Sequence, residues 1–214
     1  MSTQDDKTIS LIASLADDLT EVKVLPHPLR RIFPWILFAV AYISLAIATI
    51  GFRDDISHKL FESVYMFELL LVVGMSMSAA FCSSWLCCPD IRGQSWIVAI
   101  PLSLASVLAL WLITKAGLDH YEFPILKYHV CYIGAVIFGL IPAFTIWFLS
   151  QRGKTTHPYL MGLMNVLSIG GLGYLALRIV CPAEEFGHIF VYHVMPYALF
   201  GVVITFVAAK IYRW

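Results

Sequence analysis

The sequence predicts an all-α membrane protein, a six-transmembrane-helix bundle with a short N-terminal cytoplasmic amphipathic helix. Three observations carry that expectation. Six apolar runs of roughly 20 residues, the length that crosses a hydrocarbon core, follow one another with short connections. The 214 residues are 60% hydrophobic and 13% charged, a balance too apolar for a water-soluble domain. Ahead of the runs lies a polar stretch of about 30 residues whose apolar side chains recur at helical spacing.

Taken in order, residues 1–31 form the leading segment and 32–214 the membrane domain. In the leading segment Ile9, Ile12, Leu15, Ala16, Leu19 and Val22 make one stripe of a helix, and Asp17, Asp18, Glu21 and Lys23 fall largely on other faces. Asp5 and Asp6 complement the helix start, and Thr3 or Thr8 can cap it. Pro26 and Pro28 are expected to stop this helix before Arg30 and Arg31 meet the membrane. A helix this short is marginal alone in water, so its stripe needs a partner. The membrane surface and the underside of the bundle are the plainer choices. Surface-lying helices carry Lys and Arg on the polar face, whereas Asp17, Asp18 and Glu21 stand here and favour a groove in a protein partner.

The spans are expected at 33–51, 64–86, 96–114, 130–149, 158–178 and 189–209. The connections hold most of the Pro, Gly and charged residues, as in Pro89–Ser95 and Gln151–His157. An even number of spans puts both termini on one side. That side carries Lys7, Lys23, Arg30, Arg31, Arg92, Arg152, Lys154, Lys210 and Arg213, against Arg53, Lys59, Lys115, Lys127 and Arg178 opposite. Basic residues collect in cytoplasmic loops, so both termini are expected to be cytoplasmic. The polar leading segment has no signal-peptide pattern, which leaves insertion to the first span.

Inside the spans, Glu68 is the clearest ionisable residue and reads as an isolated carboxylate making a structural or sensing hydrogen bond. Gly74, Ser76, Ser78 and Ala79, with Gly162, Ser168, Gly170, Gly171 and Gly173, read as surfaces for close helix packing. Gly170–Gly173 looks like a phosphate-loop fragment only superficially, because it lies in an apolar membrane run. Pro101, Pro142 and Pro196 are candidate kinks. Cys82, Cys87 and Cys88, near the cytoplasmic end of the second span, read as packing thiols.

The run Leu15-Ala-Asp-Asp-Leu-Thr-Glu-Val-Lys-Val-Leu-Pro-His-Pro-Leu-Arg-Arg31, ahead of six helices in a chain of this length, resembles the negative regulator of sigma F (NrsF) family of bacterial membrane anti-sigma factors. Glu21 stands where proline is usual in that pattern. The resemblance implies a bacterial inner-membrane protein whose cytoplasmic segment holds an extracytoplasmic-function sigma factor away from RNA polymerase. Ile9, Ile12, Leu15, Asp17, Asp18, Leu19 and Val22 would form the binding face. It also implies a cysteine pair that takes part in sensing, matched here by Cys131 and Cys181, with a redox or heavy-metal stress signal as the trigger for release.

The chemistry of those residues is compatible with that role. Cys131 begins the fourth span and Cys181 follows the fifth, so both fall near the outer face, where an oxidising periplasm permits disulfides. A bridge needs the two Cα atoms within about 7 Å, and two unpaired buried thiols remain the alternative. His58, His120, His129, His188 and His193 lie on the same side. Thiolates with imidazoles suit zinc, cadmium or copper, and Cys131, Cys181, His129 and His188 are the candidate metal ligands. Histidines at a membrane interface acting only as polar anchors are the plainer reading.

The expected partners are therefore the sigma factor and membrane lipids. No resident cofactor is expected, and a transition or heavy metal enters only as the signal. A neutral net charge and a pI near 7 argue against direct nucleic-acid binding. No nucleophile, base and orienting group assemble at recognisable spacing, so no enzyme is expected. The alternative function is a small multi-helix transporter or a haem- or quinone-associated membrane subunit.

Overall fold

A computed structural model of the chain describes residues 3–17, 26–88, 94–118, 129–151, 153 and 155–212. In order these form α1 (Thr3–Asp17), α2 (Pro28–Ile50), α3 (Ile56–Lys59), α4 (Ser63–Trp85), α5 (Trp96–Leu118), α6 (His129–Gln151) and α7 (Pro158–Val180). α8 (Phe186–His188) then runs through a π-helical turn (Ile189–Val194) into α9 (Met195–Ile211). Among the described residues six stretches are long and apolar enough to cross a membrane: α2, α4, α5, α7, Cys131–Ser150 within α6, and the continuous run Phe186–Ala208.

The spans lie where the hydropathy places them, except that the first begins at Pro28. Proline is favoured in the first turn of a helix, where its missing N–H costs nothing and its φ is already helical. His27 adds a cap, its Nδ1 accepting from the Leu29 N–H at 3.3 Å. Pro28 thus opens α2. This corrects the expectation that Arg30 and Arg31 precede the membrane helix: both lie in its first turn, and Arg31 is buried.

α7 is the central helix, and small residues put it there. A Cβ added to Gly171 would lie 2.8 Å from Cβ of Ser76 on α4, and one on Gly162 would lie 3.1 Å from Cα of Thr205 on α9. Ser76 Oγ donates to the Ser168 carbonyl at 2.6 Å, so the close approach also satisfies a buried hydroxyl. Away from α7, Leu110 and Ile113 on α5 and Val203 and Phe206 on α9 face outward, as side chains that meet lipid do.

The ends of the bundle are assembled differently. At the end nearest the termini, Ser84 Oγ donates to the Pro28 carbonyl at 2.8 Å, and the Thr155 N–H donates to the Tyr212 carbonyl at 3.0 Å. Cys82 and Cys87 are buried there among apolar side chains. At the opposite end Gly51 adopts φ 103°, a conformation that favours glycine, and turns the chain after α2. The Arg53 N–H then reaches the Ile179 carbonyl at the end of α7, at 3.2 Å.

In α1, residues 7–17 are exposed, Ile9, Ile12 and Leu15 among them. Asp17 ends this helix, and Asp18, Leu19 and Val22 lie outside the described residues.

Candidate thiol and ion-pair site

The end of the bundle away from the termini gathers the chemistry-bearing residues. Cys131 lies in the first turn of α6 and Cys181 directly follows α7. Gly134, one turn after Cys131, lets the two helices meet: a Cβ there would be 3.1 Å from Leu177 Cδ2 on α7. The Cys131 thiol donates to Cys181 Sγ at 3.3 Å, and both cysteines are free. His188 Nε2 lies 3.3 Å from Cys181 Sγ. The hydrogen bond from Cys131, with help from His188, holds the Cys181 thiol below its usual range although burial pushes it up.

His193 joins this group. In an α-helix, at 100° per residue, side chains five apart point about 140° away from each other. The i→i+5 winding of the π-helical turn brings His188 and His193 towards one face, with ring centroids 5.3 Å apart. The turn sits just ahead of Pro196, whose absent N–H and bulky ring disturb the regular ladder. One ligand atom from each of Cys131, Cys181, His188 and His193 lies within 4.8 Å of the others. The structure therefore brings together three of the four sequence-nominated ligands and adds His193. His129 opens α6, but its side chain lies outside those described.

The loop carrying Cys181 is held by two buried arginines. Arg53 donates through Nη1 to the Cys181 carbonyl at 3.2 Å and through Nη2 to the Pro182 carbonyl at 3.3 Å. It also pairs with Asp55 through Nε (2.5 Å) and Nη2 (2.9 Å), and with Glu184 through Nη1 at 2.7 Å. Arg178 reaches the other Glu184 oxygen at 3.0 Å through Nη2. Burial alone would raise the Glu184 carboxyl, but hydrogen bonds from Arg178 and Arg53 outweigh it and hold it below the usual range. Hydrogen bonding to Arg53 likewise lowers Asp55.

From Arg178 the network descends into the bundle. Its Nε donates to Glu68 Oε1 at 2.8 Å, and the Tyr174 hydroxyl donates to the same oxygen at 2.6 Å. Lys115 Nζ and Trp111 Nε1, both on α5, donate to Glu68 Oε2 at 3.0 and 3.2 Å. Glu68 is therefore not the isolated carboxylate expected from the sequence. The sequence signal for this network is positional: Lys115 just beyond the third expected span and Arg178 closing the fifth lie on the same side as Glu68 near the start of the second. Arg53, Lys115 and Arg178 face Asp55, Glu68 and Glu184, so the network is charge-balanced, as burial requires.

A cavity of about 510 Å³ opens beside the thiols, lined by Cys131, Cys181, Gly134, Phe138, Leu177 and Glu185 among others. The thiols in contact and the imidazoles beside them offer the donor set for a disulfide or for metal ligation, next to an ion-paired loop.

Comparison with known proteins agrees with the architecture. The family model described as negative regulator of sigma F matches residues 15–214, from within the leading segment through all six spans. No curated protein and no solved structure matches. With nearly the whole chain covered, the protein belongs to the negative regulator of sigma F (NrsF) family.

Proposed function

We propose that the chain is a membrane-bound anti-sigma factor of the bacterial inner membrane, with both termini cytoplasmic. In this reading its leading segment sequesters an extracytoplasmic-function sigma factor, and its membrane domain releases that factor when the outer thiols meet a redox or heavy-metal signal. Membership of the NrsF family supports negative regulation of a sigma factor. The observation that carries the sensing half is the approach of Cys131 and Cys181 Sγ to 3.3 Å. A disulfide has its sulfurs about 2.05 Å apart, so oxidation draws the two together by roughly 1.3 Å.

That movement acts on a loop tied to the bundle. The Cys181 and Pro182 carbonyls are hydrogen-bonded to Arg53, and Glu184 joins Arg53 to Arg178 and so to Glu68. Reversing an equilibrium from 1:99 to 99:1 takes about 5.5 kcal/mol. Removing one partner of a buried ion pair costs about 3–5 kcal/mol. Disturbing the clamp as far as the fully buried Arg178–Glu68 pair is of that order, whereas its Glu184 contacts, 39% exposed, contribute less. The exposed Ile9, Ile12 and Leu15 leave an apolar face for the sigma factor, with Asp17 beside it; Asp18, Leu19 and Val22 extend the proposed face beyond the described residues.

A reporter of transcription from the cognate sigma factor tests both halves. Leu15→Asp is expected to leave it constitutively on, and Cys131→Ser with Cys181→Ser to abolish induction by an oxidant or cadmium. Continued repression by Leu15→Asp would remove the docking face, and an unchanged inducer response in the cysteine variant would remove the sensor.

A further inference from the structure

We infer that Cys131, Cys181, His188 and His193 form a four-coordinate site for a thiophilic d10 cation of the zinc and cadmium class, with His193 supplying a ligand. The inference deepens the sensor reading and rests on it for its biological meaning. It specifies the ligand set at the thiols and the class of ion they take.

Tetrahedral zinc, with bonds of about 2.3 Å to sulfur and 2.0–2.1 Å to nitrogen, spaces its ligand atoms about 3.3–3.8 Å apart. The two sulfurs are 3.3 Å apart and Cys181 Sγ is 3.3 Å from His188 Nε2, with all four ligand atoms inside 4.8 Å. Adjustments of a few tenths of an ångström up to about 1 Å convert this group into a tetrahedron. Four protein ligands fill the coordination shell, the pattern of closed zinc sites rather than catalytic ones.

His193 provides the independent observation. Its side chain is fully buried, and neither ring nitrogen has a partner at full hydrogen-bond geometry among the described residues, with the Cys181 sulfur a polar neighbour within 4.8 Å. An imidazole removed from water with both nitrogens unsatisfied is costly, and native structures place an ion or water at such groups. The π-helical turn is what brings this ring back to the thiols. Charge agrees: two thiolates neutralise a divalent cation, and the adjoining arginines are already neutralised by carboxylates. The cavity lined by both cysteines gives the ion a route in. Metal ligation and a disulfide then compete for the same two sulfurs. Oxidation to a disulfide, with two electrons passing to an oxidant such as a disulfide reagent and two protons leaving, is blocked while the metal is held.

The test uses the full-length protein, reduced in detergent without oxygen and titrated with Co²⁺ and then Zn²⁺. The expected result is one cobalt per chain, with thiolate charge-transfer bands and the strong visible bands of tetrahedral cobalt, all removed by zinc. His193→Ala and His193→Gln should each weaken binding by about 100-fold or more, since losing even an outer-shell partner costs about 10–100-fold. His58→Ala, at an exposed histidine, should bind as wild type. Absence of tetrahedral cobalt in the wild-type protein, or undiminished affinity in folded His193→Gln, would overturn the inference. The sigma reporter separates this from the wider reading: loss of induction in the cysteine variant without any metal binding sinks the metal site alone, whereas tight cobalt binding with the cysteine variant still inducible sinks the sensor and keeps the site.

Discussion

Glu68→Gln should destabilise the membrane domain far more than a surface charge change. Glu68 is fully buried and accepts four hydrogen bonds, from Arg178, Tyr174, Lys115 and Trp111. Glutamine keeps the shape and one acceptor but leaves the two cations without their carboxylate. Lys115 is 20% exposed and can turn its ammonium towards headgroups, whereas Arg178 is 1% exposed and keeps, among the described residues, Glu184, the Ala183 carbonyl and the face of the Tyr65 ring. The cost therefore falls on Arg178, at the lower end of the range for a broken buried pair, about 3 kcal/mol. At about 2–4 °C per kcal/mol for a chain of this size, the midpoint of thermal unfolding in detergent should fall by about 6–12 °C. Tryptophan fluorescence is a suitable readout because Trp111 touches the altered group. Glu62→Gln breaks the exposed pair with Lys59 and should shift the midpoint by only about 1–2 °C. Adding Arg178→Met to Glu68→Gln should recover much of the loss, because no buried arginine is then stranded. A Glu68→Gln shift no larger than that of Glu62→Gln would refute the view that the network is a buried, paired structure.

Three further predictions follow from the packing and charges. Gly171→Ala puts a methyl 2.8 Å from Ser76 Cβ and should destabilise by about 1–3 kcal/mol, whereas Gly74→Ala meets only Leu104 Cδ1 at 3.5 Å and should raise the midpoint through better helix propensity; thermal melts compare the two. Asp55 and Glu184 titrate below their usual range, so the stability they confer is present above about pH 4 and is lost as the pH falls through their lowered values; a melting series from pH 7 to pH 3 should bend downward only in the acid limb, and Glu184→Gln should flatten that bend. Ile12→Asp, at an exposed position of α1, should leave the melting midpoint unchanged while abolishing retention of the sigma factor in a pull-down.

Hydropathy alone made the six spans legible, because a hydrocarbon core imposes length and composition together. The small residues of α7 were equally readable as contact points. The polar network was not, since Glu68, Lys115 and Arg178 lie far apart in sequence and meet only when α4, α5 and α7 pack. Pro28 fits both a stop for the preceding helix and a first-turn start for the next, and the structure takes the second, which puts Arg30 and Arg31 inside the first membrane helix. The pairing of Cys131 with His188 and Cys181 was within reach of topology, which puts all three on one side. His193 was not, because regular helical spacing turns it away from His188 and only the π-helical turn returns it.

The proposed sensor requires Cys131 and Cys181 to control what the N-terminal segment holds. The most direct measurement is retention of the cognate sigma factor on the immobilised full-length protein in detergent, before and after an oxidant or cadmium. The wild-type protein is expected to retain the factor and release it on treatment, and Cys131→Ser with Cys181→Ser to retain it throughout. Failure of the untreated protein to hold the factor, or equal release from the cysteine variant, would contradict the proposed sensor.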